Sequence, residues 1–195
     1  MTKIHPALSA AQWHCMPSNV RWAENVLQFE TGTKTDFWQN TWYGFRRDDG
    51  HFLGLEAPAD FSAIVSFDAA YEELYDQAGI MLRIDENNWI KAGIEYSDGV
   101  TNFSTVITKK GQSDWSMVPA PGALGVQQIR LSRIKGAVFV HFLAQNGVWQ
   151  LMRLCAFYED GGKIGPMACS PERAGLMVTI SHFDITPPAE NPLHG

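Results

Sequence analysis

Short runs of alternating apolar and polar residues recur along this chain, and turn residues separate them. The run from 61 to 67 places an apolar side chain at every second position, at Phe61, Ala63, Val65 and Phe67. Because successive side chains of a β-strand point to opposite faces, all four would share one face. Amphipathic helical windows are scarce, and residues 69–75 are the one short helical candidate. The pattern is typical of an antiparallel all-β domain.

The middle of the chain shows the clearest alternation. Residues 77–84 and 89–96 each carry apolar side chains at every second position, and the four polar residues 85–88 separate the two runs. Two such runs joined by a short polar turn predict a β-hairpin. A third run, 102–108, follows the turn at 97–99, so we expect three consecutive strands to form a meander.

About eleven or twelve strands can be counted in this way. An open sheet of that size tends to split into two packed layers, so the sequence predicts an all-β fold, a two-sheet antiparallel β-sandwich. The length of 195 residues fits a single domain spanning 1–195. Prolines in residues 187–195 remove backbone donors, and we expect an extended Pro-rich tail there.

The charge balance excludes some classes of partner. Lys and Arg total 15 against 21 Asp and Glu, which gives a net charge of −6, and no run of basic residues exceeds two. Binding to a nucleic-acid duplex needs a basic stripe, so no nucleic-acid partner is expected. The N-terminal segment lacks the apolar stretch of a signal peptide, and no later segment is long enough to span a membrane. We therefore expect a cytoplasmic protein with no membrane partner.

Cysteine and histidine spacings argue against a metal centre. The three cysteines, Cys15, Cys155 and Cys169, show no CxxC spacing, and the six histidines show no HxH or HExxH spacing. We therefore expect no disulfide framework, no metal site and no cofactor.

Several motifs together resemble a known family. They are Thr35-Asp36-Phe37-Trp38, the run from Tyr75 to Met81, the run from Trp89 to Tyr96, Ser113-Asp114-Trp115-Ser116, and the run from Gly165 to Pro171. The match extends over about Val20 to Pro187 and resembles the regulation-of-enolase-like family of concanavalin A-like proteins. The resemblance implies a jelly-roll sandwich with one concave sheet, as in legume lectins and several glucanases. It implies no particular activity, because this fold hosts many functions.

Aromatic and charged residues share the face of the meander that lies opposite the predicted core. Such a face suits a sugar, whose ring stacks on aromatic side chains while its hydroxyls bond to polar ones. The sequence thus predicts that a carbohydrate or similar polyhydroxylated small ligand binds on the concave face, with Trp38, Trp89 and Trp115 as stacking candidates. The candidate ligand-binding residues are Asp36, Trp38, Gln77, Arg83, Trp89, Lys91, Glu95, Asp114, Trp115, Arg130 and Arg153.

Three alternatives stay open. A solvated outer face laced with ion pairs would give the same pattern, and a protein-interaction or regulatory module would present exposed aromatic residues to a protein partner. A glycoside hydrolase would need two carboxylates, with Glu95 as the candidate catalytic residue and Asp36, Asp76 or Asp114 as its partner. The Glu-x-Asp-x-x-Glu and Glu-x-Asp-x-Glu patterns of concanavalin-like glucanases are absent around Glu95, which favours binding over hydrolysis.

Overall fold

Strands make up nearly all of the regular structure. The structure is a computed structural model that describes residues 3–120 and 125–193. Within these residues the one helix is a short 3₁₀ helix, Pro6–Ala10. In chain order, the strands are β1 (Lys3–Ile4), β2 (Trp13–His14), β3 (Asn19–Ala23), β4 (Val26–Glu30), β5 (Phe37–Gln39), β6 (Arg46–Asp48), β7 (His51–Leu53), β8 (Leu55–Glu56), β9 (Phe61–Ala69), β10 (Gln77–Asp85), β11 (Asn88–Ser97), β12 (Val100–Lys109), β13 (Gln112–Pro119), β14 (Gln127–Ile134), β15 (Ala137–Leu143), β16 (Trp149–Ala156), β17 (Lys163–Cys169) and β18 (Met177–Thr186).

Two sheets contain most of these strands. The back sheet has the order β16-β15-β14-β9-β18-β4-β3, and β1 pairs in parallel with β18. The front sheet has the order β13-β12-β11-β10-β17-β7-β2, and β8 pairs with β17. The pairings along both orders are antiparallel, and β5 and β6 form a separate hairpin. The predicted two-sheet antiparallel sandwich is confirmed.

The main hydrophobic core lies between the two sheets. Alternate residues of facing strands meet there, such as Ala63 and Val65 from β9 with Ile80 and Leu82 from β10, all fully buried. Each Å² of apolar surface removed from water contributes about 25 cal/mol to stability. The intervening residues of the front sheet point away from the core, and that outward face carries the candidate site.

Strands β10 to β13 form the predicted meander, extended by one strand. The turn between β10 and β11 is tighter than expected, because Asp85 and Asn88 pair across the hairpin and leave two turn residues. The Asn87 backbone N–H donates to Asp85 Oδ1 at 2.7 Å, a local bond that stabilises such a turn.

The predicted helix at residues 69–75 is wrong. Strand β9 continues to Ala69, and residues 70–76 form an irregular loop. The buried carboxylate of Asp76 accepts hydrogen bonds from the backbone N–H groups of Glu72 and Glu73, at 3.0 and 3.1 Å. These side-chain bonds replace the backbone bonds that a helix would have made.

Strands β13 and β17 are absent from the predicted elements. The sequence of β17 contains Gly165 and Pro166, which are typical of turns rather than of a central strand. The neighbouring strands β7 and β8 are separated at Gly54, and they pair on either side of these two residues. Pro166 thus lies where that side of the ladder is interrupted, so its missing N–H is tolerated.

The β5–β6 hairpin lies over part of the front sheet's outward face. Its side chains join a second hydrophobic cluster, which comprises Phe37, Trp38, Phe52, Met81, Trp89, Val106, Met167 and Cys169. The Gln39 backbone N–H donates to Ser113 Oγ at 2.9 Å, and Asn40 Nδ2 donates to the Gly111 carbonyl at 2.7 Å. These bonds anchor the hairpin to the turn between β12 and β13.

The C-terminal segment follows β18 without further strands or helices over residues 187–193. A hydrogen bond from the Ala189 backbone N–H to Ser62 Oγ at 3.0 Å helps to hold this segment against the back sheet. The last two residues of the predicted tail lie outside the described residues. In the part of the chain that the structure describes, no helix is long and apolar enough to cross a membrane.

Candidate functional site

A pocket of about 240 Å³ opens on the outward face of the front sheet, beside the β5–β6 hairpin. Its floor is formed by strands of the meander, and its walls come from the hairpin and from two loops. The lining residues are Asp36, Trp38, Tyr43, Phe45, Tyr75, Gln77, Lys91, Glu95, Val106, Trp115, Pro171 and Glu172.

A pair of glycines leaves the floor of the pocket open between Glu95 and Lys91. Gly79 and Gly93 lie opposite each other on β10 and β11, between the cross-strand pair of Gln77 with Glu95 and that of Met81 with Lys91. A Cβ at either glycine would collide with a backbone oxygen of the other strand, so only glycine fits. A small cavity remains at this point, and both Lys91 and Glu95 line it.

Lys91 forms a buried ion pair with Asp36. The Lys91 side chain is 6% exposed, and its Nζ lies 2.9 Å from Asp36 Oδ1. Gln77 Nε2 donates to the same oxygen at 3.4 Å. Burial is the largest single effect and lowers the pKa of Lys91, but the charge and hydrogen bond of Asp36, together with Cys169 and Glu95, outweigh it and leave this pKa raised. Lys91 is therefore charged at neutral pH and holds Asp36, and with it the hairpin, against the sheet.

Glu95 is a buried carboxylate whose hydrogen bonds come from neutral donors. Ser104 Oγ and Trp115 Nε1 both donate to its Oε2, the latter at 3.2 Å. Burial raises the pKa of Glu95, and the charge of Lys91 and these two hydrogen bonds offset that rise only in part. Among the described residues, none donates to Oε1, and none forms a salt bridge with the Glu95 carboxylate.

Four aromatic side chains surround the pocket in sequence, and we call them the aromatic enclosure: Tyr43, Trp38, Trp115 and Tyr75. The ring centroids of Tyr43 and Trp38 lie 5.6 Å apart, those of Trp38 and Trp115 6.5 Å, and those of Trp115 and Tyr75 6.2 Å. All three contacts are T-shaped, so successive rings turn by nearly a right angle. Proximity to the Tyr43 phenol, together with burial, raises the pKa of Tyr75 to about 12.

A buried ion pair fixes the two loops that form the rim. Asp76 is fully buried, and Arg173 Nη2 donates to its Oδ2 at 2.6 Å. This pair joins the loop that carries Tyr75 to the loop that carries Pro171 and Glu172. Separating the two loops would leave a buried charge without its partner, which is energetically costly. The ion pair therefore holds the rim in place.

Six of the eleven predicted site residues line this pocket, namely Asp36, Trp38, Gln77, Lys91, Glu95 and Trp115. Two others belong to the front sheet but lie elsewhere. Trp89 is fully buried in the second hydrophobic cluster, so, contrary to the prediction, it presents no ring face to a ligand. Arg83 pairs with Asp48 at 2.6 Å beside a separate cavity.

The remaining three predicted residues lie away from the pocket. Arg130 and Arg153 belong to the back sheet, where Arg130 stacks on Trp149 at 4.8 Å from the ring centroid. Arg153 pairs with Asp114 at 3.2 Å, and Asp114 adjoins Trp115 on β13, so its side chain points to the opposite face. The alternation of a strand identifies a face but not the sheet to which that face belongs.

Several pocket residues are missing from the predicted set. Val106 lies on the third predicted strand, beside the alternating Ser104 that lines the small cavity, and Tyr75 begins one of the quoted motifs, so the sequence carried a signal for these residues. Nothing in the local sequence singled out Phe45 or Glu172, which enter the pocket from loops.

The chemistry of the described residues offers no metal centre. No group of three or more His, Cys, Asp or Glu side chains within this part of the chain is placed to hold a metal ion. The cysteines Cys15, Cys155 and Cys169 are all free thiols.

Two packed antiparallel sheets define a β-sandwich protein with a jelly-roll fold. The legume lectin-like domain from Entamoeba histolytica has a similar fold, with a TM-score of 0.65 at 8% identity, and covers 97% of each chain. The GH43 protein BlXynB from Bacillus licheniformis gives a TM-score of 0.62 at 16% identity, over 85% of this chain and 33% of that one. At such identities the likeness concerns the fold alone, and it confirms the predicted jelly roll.

The family model described as "Protein of unknown function (DUF1349)" matches residues 13–188, and the chain belongs to this family. It is 45% identical over 188 residues to "Regulation of enolase protein 1" of Saccharomyces cerevisiae, covering 96% of this chain and 94% of the relative. A crystal structure of a functionally unknown protein from Saccharomyces cerevisiae superposes with a TM-score of 0.88 at 45% identity, over 93% of this chain and 98% of that one. The predicted family resemblance is confirmed.

Proposed function

We propose that this protein binds a carbohydrate or a similar polyhydroxylated ligand in the pocket of the front sheet. The observation that carries the proposal is a cavity of about 240 Å³ that combines an aromatic enclosure with buried polar groups on its floor. Ligand pockets are typically apolar clefts with a few precisely placed polar groups, and this pocket has that composition.

The two kinds of lining would bind different parts of a sugar. The C–H faces of a pyranose pack against the rings of Trp38 and Trp115, which are already fixed by their mutual contact. The hydroxyls bond to Gln77, to Glu95 and to the ion pair of Lys91 on the floor. Because these groups are held in place before binding, little side-chain entropy is lost when the ligand enters.

A glycan array followed by calorimetric titration tests this proposal. Trp115→Ala removes one wall of the enclosure, and Glu95→Gln replaces the buried carboxylate by an amide of the same shape; each should weaken binding at least about tenfold. Trp22→Ala is the matched control, because Trp22 is a partly exposed tryptophan on β3 of the back sheet, and its affinity should match wild type. The proposal would be overturned if no glycan on the array bound, or if Trp115→Ala and Glu95→Gln bound the ligand as tightly as wild type and the Trp22→Ala control.

A protein-interaction role is the second candidate, and the tip of the β5–β6 hairpin favours it. Trp42 is 90% exposed there, and its neighbours Tyr43 and Phe45 are also exposed. A relative carries the name "Regulation of enolase protein 1", which is consistent with a regulatory contact. A stoichiometric partner captured by wild type and lost with Trp42→Ala would support this role, since Trp42 does not line the pocket.

Hydrolysis is the third candidate, because Asp36 and Glu95 line one pocket. Asp36 pairs with the Lys91 ammonium at 2.9 Å, whereas Glu95 has no such pair among the described residues and burial raises its pKa. Turnover of a chromogenic glycoside that disappears in Glu95→Gln would support an enzyme, and binding without turnover would exclude this candidate for the glycosides used.

A further inference from the structure

We propose that the ligand is an amino sugar, whose protonated amine binds the free oxygen of Glu95 inside the aromatic enclosure. This inference rests on the proposed carbohydrate-binding function and names the class of sugar that the pocket selects.

The charges that line the pocket do not balance. Asp36, Glu95 and Glu172 contribute carboxylates, and Lys91 contributes the single ammonium. Lys91 is bound to Asp36, so its charge is already compensated at 2.9 Å. The Glu95 carboxylate receives hydrogen bonds only from neutral groups among the described residues, and the charge of Lys91 offsets the effect of burial on its pKa only in part. A neutral sugar would leave this carboxylate without a counter-ion of its own, whereas a cationic sugar would supply one.

The geometry around Glu95 leaves one oxygen available to a ligand. The residue is 6% exposed, and both of its hydrogen bonds converge on Oε2. No described side chain or backbone group donates to Oε1, although Glu95 lines the pocket. An ammonium provides three N–H donors, and a hydrogen bond between two charged groups is about twice as strong as one between neutral groups.

The aromatic enclosure favours the same charge. The face of an aromatic ring carries negative electrostatic potential, so a cation that packs against a ring face is attracted to it. Trp115 is central to this arrangement, since its edge donates to Glu95 and its ring meets both Trp38 and Tyr75. A cation next to Glu95 would therefore meet a carboxylate and an aromatic wall at once.

The size and the floor of the pocket select a sugar over a small amine. A volume of about 240 Å³ exceeds the space that a single ammonium group needs, and it suits one pyranose ring. Gln77, which pairs with Glu95 on the same side of the glycine pair, and the Lys91–Asp36 pair, which lies beyond it, offer donors and acceptors to hydroxyls. A hexosamine joins an amine to such hydroxyls within one ring.

Calorimetric titration of wild type with three matched sugar sets tests the inference. Each set contains a hexosamine, the parent hexose and the N-acetyl derivative, in the gluco, galacto and manno configurations. We expect at least one hexosamine to bind about tenfold or more tightly than both its parent hexose and its N-acetyl derivative, because acetylation removes the charge.

Variants then locate the charge that is responsible. Glu95→Gln keeps the shape of the side chain and should reduce the preference for the amine to within about twofold. Glu24→Gln is the matched control, since Glu24 is an exposed carboxylate in the turn between β3 and β4 of the back sheet and does not line the pocket, and it should retain the preference. Unchanged thermal unfolding would confirm that both variants fold.

Two different failures can be told apart. Equal affinity for a hexose and its hexosamine would overturn the amino-sugar inference and leave the carbohydrate-binding proposal standing. Failure of every sugar to bind to wild type would overturn both. Retention of the amine preference in Glu95→Gln would also overturn the inference, because the charge would then be recognised elsewhere.

Discussion

The outward faces of the two sheets both bury charged side chains, but their surroundings are opposite. On the front sheet, Lys91 and Glu95 have hydrogen-bond partners and border a pocket. On the back sheet, Arg130 and His141 lie opposite each other on β14 and β15, with exposures of 9% and 0%. Nε and Nη2 of Arg130 have no hydrogen-bond partner among the described residues, whereas the His141 ring lies close to the Pro192 backbone of the C-terminal segment.

The difference separates the proposed binding site on the front sheet from a buried polar cluster on the back sheet that has unpartnered groups. An unpartnered buried polar group costs about 1–3 kcal/mol, so the unpartnered groups of the back-sheet cluster lower stability. The Arg130 guanidinium in this cluster is covered by the ring of Trp149. In the front-sheet cluster of Lys91 and Glu95, no described residue donates to Glu95 Oε1, and Glu95 lines the pocket. Burial of charge alone therefore says little about function, whereas a partnered cluster with a free atom at a cavity supports the proposed binding role.

The largest expected effect comes from breaking the front-sheet ion pair. Asp36→Asn would leave the buried ammonium of Lys91 without its counter-charge and should lower the free energy of unfolding by about 3–5 kcal/mol. Urea unfolding measures this loss. The double variant Asp36→Asn/Lys91→Met removes both charges and should recover much of it. Equal losses in the single and double variants would contradict a stabilising role of the pair.

The next effect is a dependence on pH that comes from the back sheet. Burial, together with the charge of Arg130, lowers the pKa of His141 from 6.5 to about 4. The unfolded chain therefore takes up a proton below pH 6.5 that the folded state does not, and stability falls between pH 6.5 and 4 by about 3 kcal/mol. His141→Phe should remove this contribution, as urea unfolding at pH 7.5 and pH 5 would show.

A variant of the neighbouring arginine checks the cause. Arg130→Met removes the charge that faces His141, so the pKa of His141 should rise towards its ordinary value and the loss of stability in acid should become smaller. An identical acid response in wild type and His141→Phe would show that His141 does not control it.

A smaller effect of opposite sign is expected from the front sheet. Burial raises the pKa of Glu95, so the folded state binds this proton more tightly than the unfolded chain. The contribution of Glu95 to stability therefore improves as the pH falls through its raised pKa towards 4.5. Glu95→Gln should be more stable than wild type at neutral pH, and this advantage should disappear in acid. A constant difference at every pH would contradict the raised pKa.

The smallest effect concerns a single donor. Trp115→Phe removes the indole N–H that donates to Glu95 and Ser104, at 3.2 and 3.0 Å, and should cost about 1 kcal/mol. Loss of a donor to the charged form should also raise the pKa of Glu95 further, which the pH dependence of unfolding detects. Trp22→Phe serves as the control, and an equal cost there would show that the indole donor has no specific role.

Periodicity predicted the fold well because it depends on local spacing. Strands such as β9, β10 and β11 alternate strictly, and their apolar residues do form the core. The same spacing placed Gln77, Lys91 and Glu95 on one outward face. It could not show that the β5–β6 hairpin covers that face and buries Trp89, since this contact joins segments far apart in the chain.

The limits of the site prediction have the same physical origin. Arg130 and Arg153 satisfy the pattern of a polar slot in an apolar strand, but assignment to a sheet depends on long-range pairing. Glu172 enters the pocket from a loop, where no period exists. The mixed aromatic and charged composition of the face was informative, because six of the residues it suggested meet in one pocket.

The strand order also bears on how the chain assembles during synthesis. Strands β10 to β13 are neighbours in sequence and can pair as soon as they emerge. Strands β9 and β10 also pair with β18 and β17, which are synthesised much later. Such non-local pairs form late and leave apolar faces exposed in the meantime. A nascent chain that stops before Met177 would thus display a nearly complete pocket floor on one side and an uncovered core face on the other. Its principal hazard in the cell would be aggregation through that uncovered face.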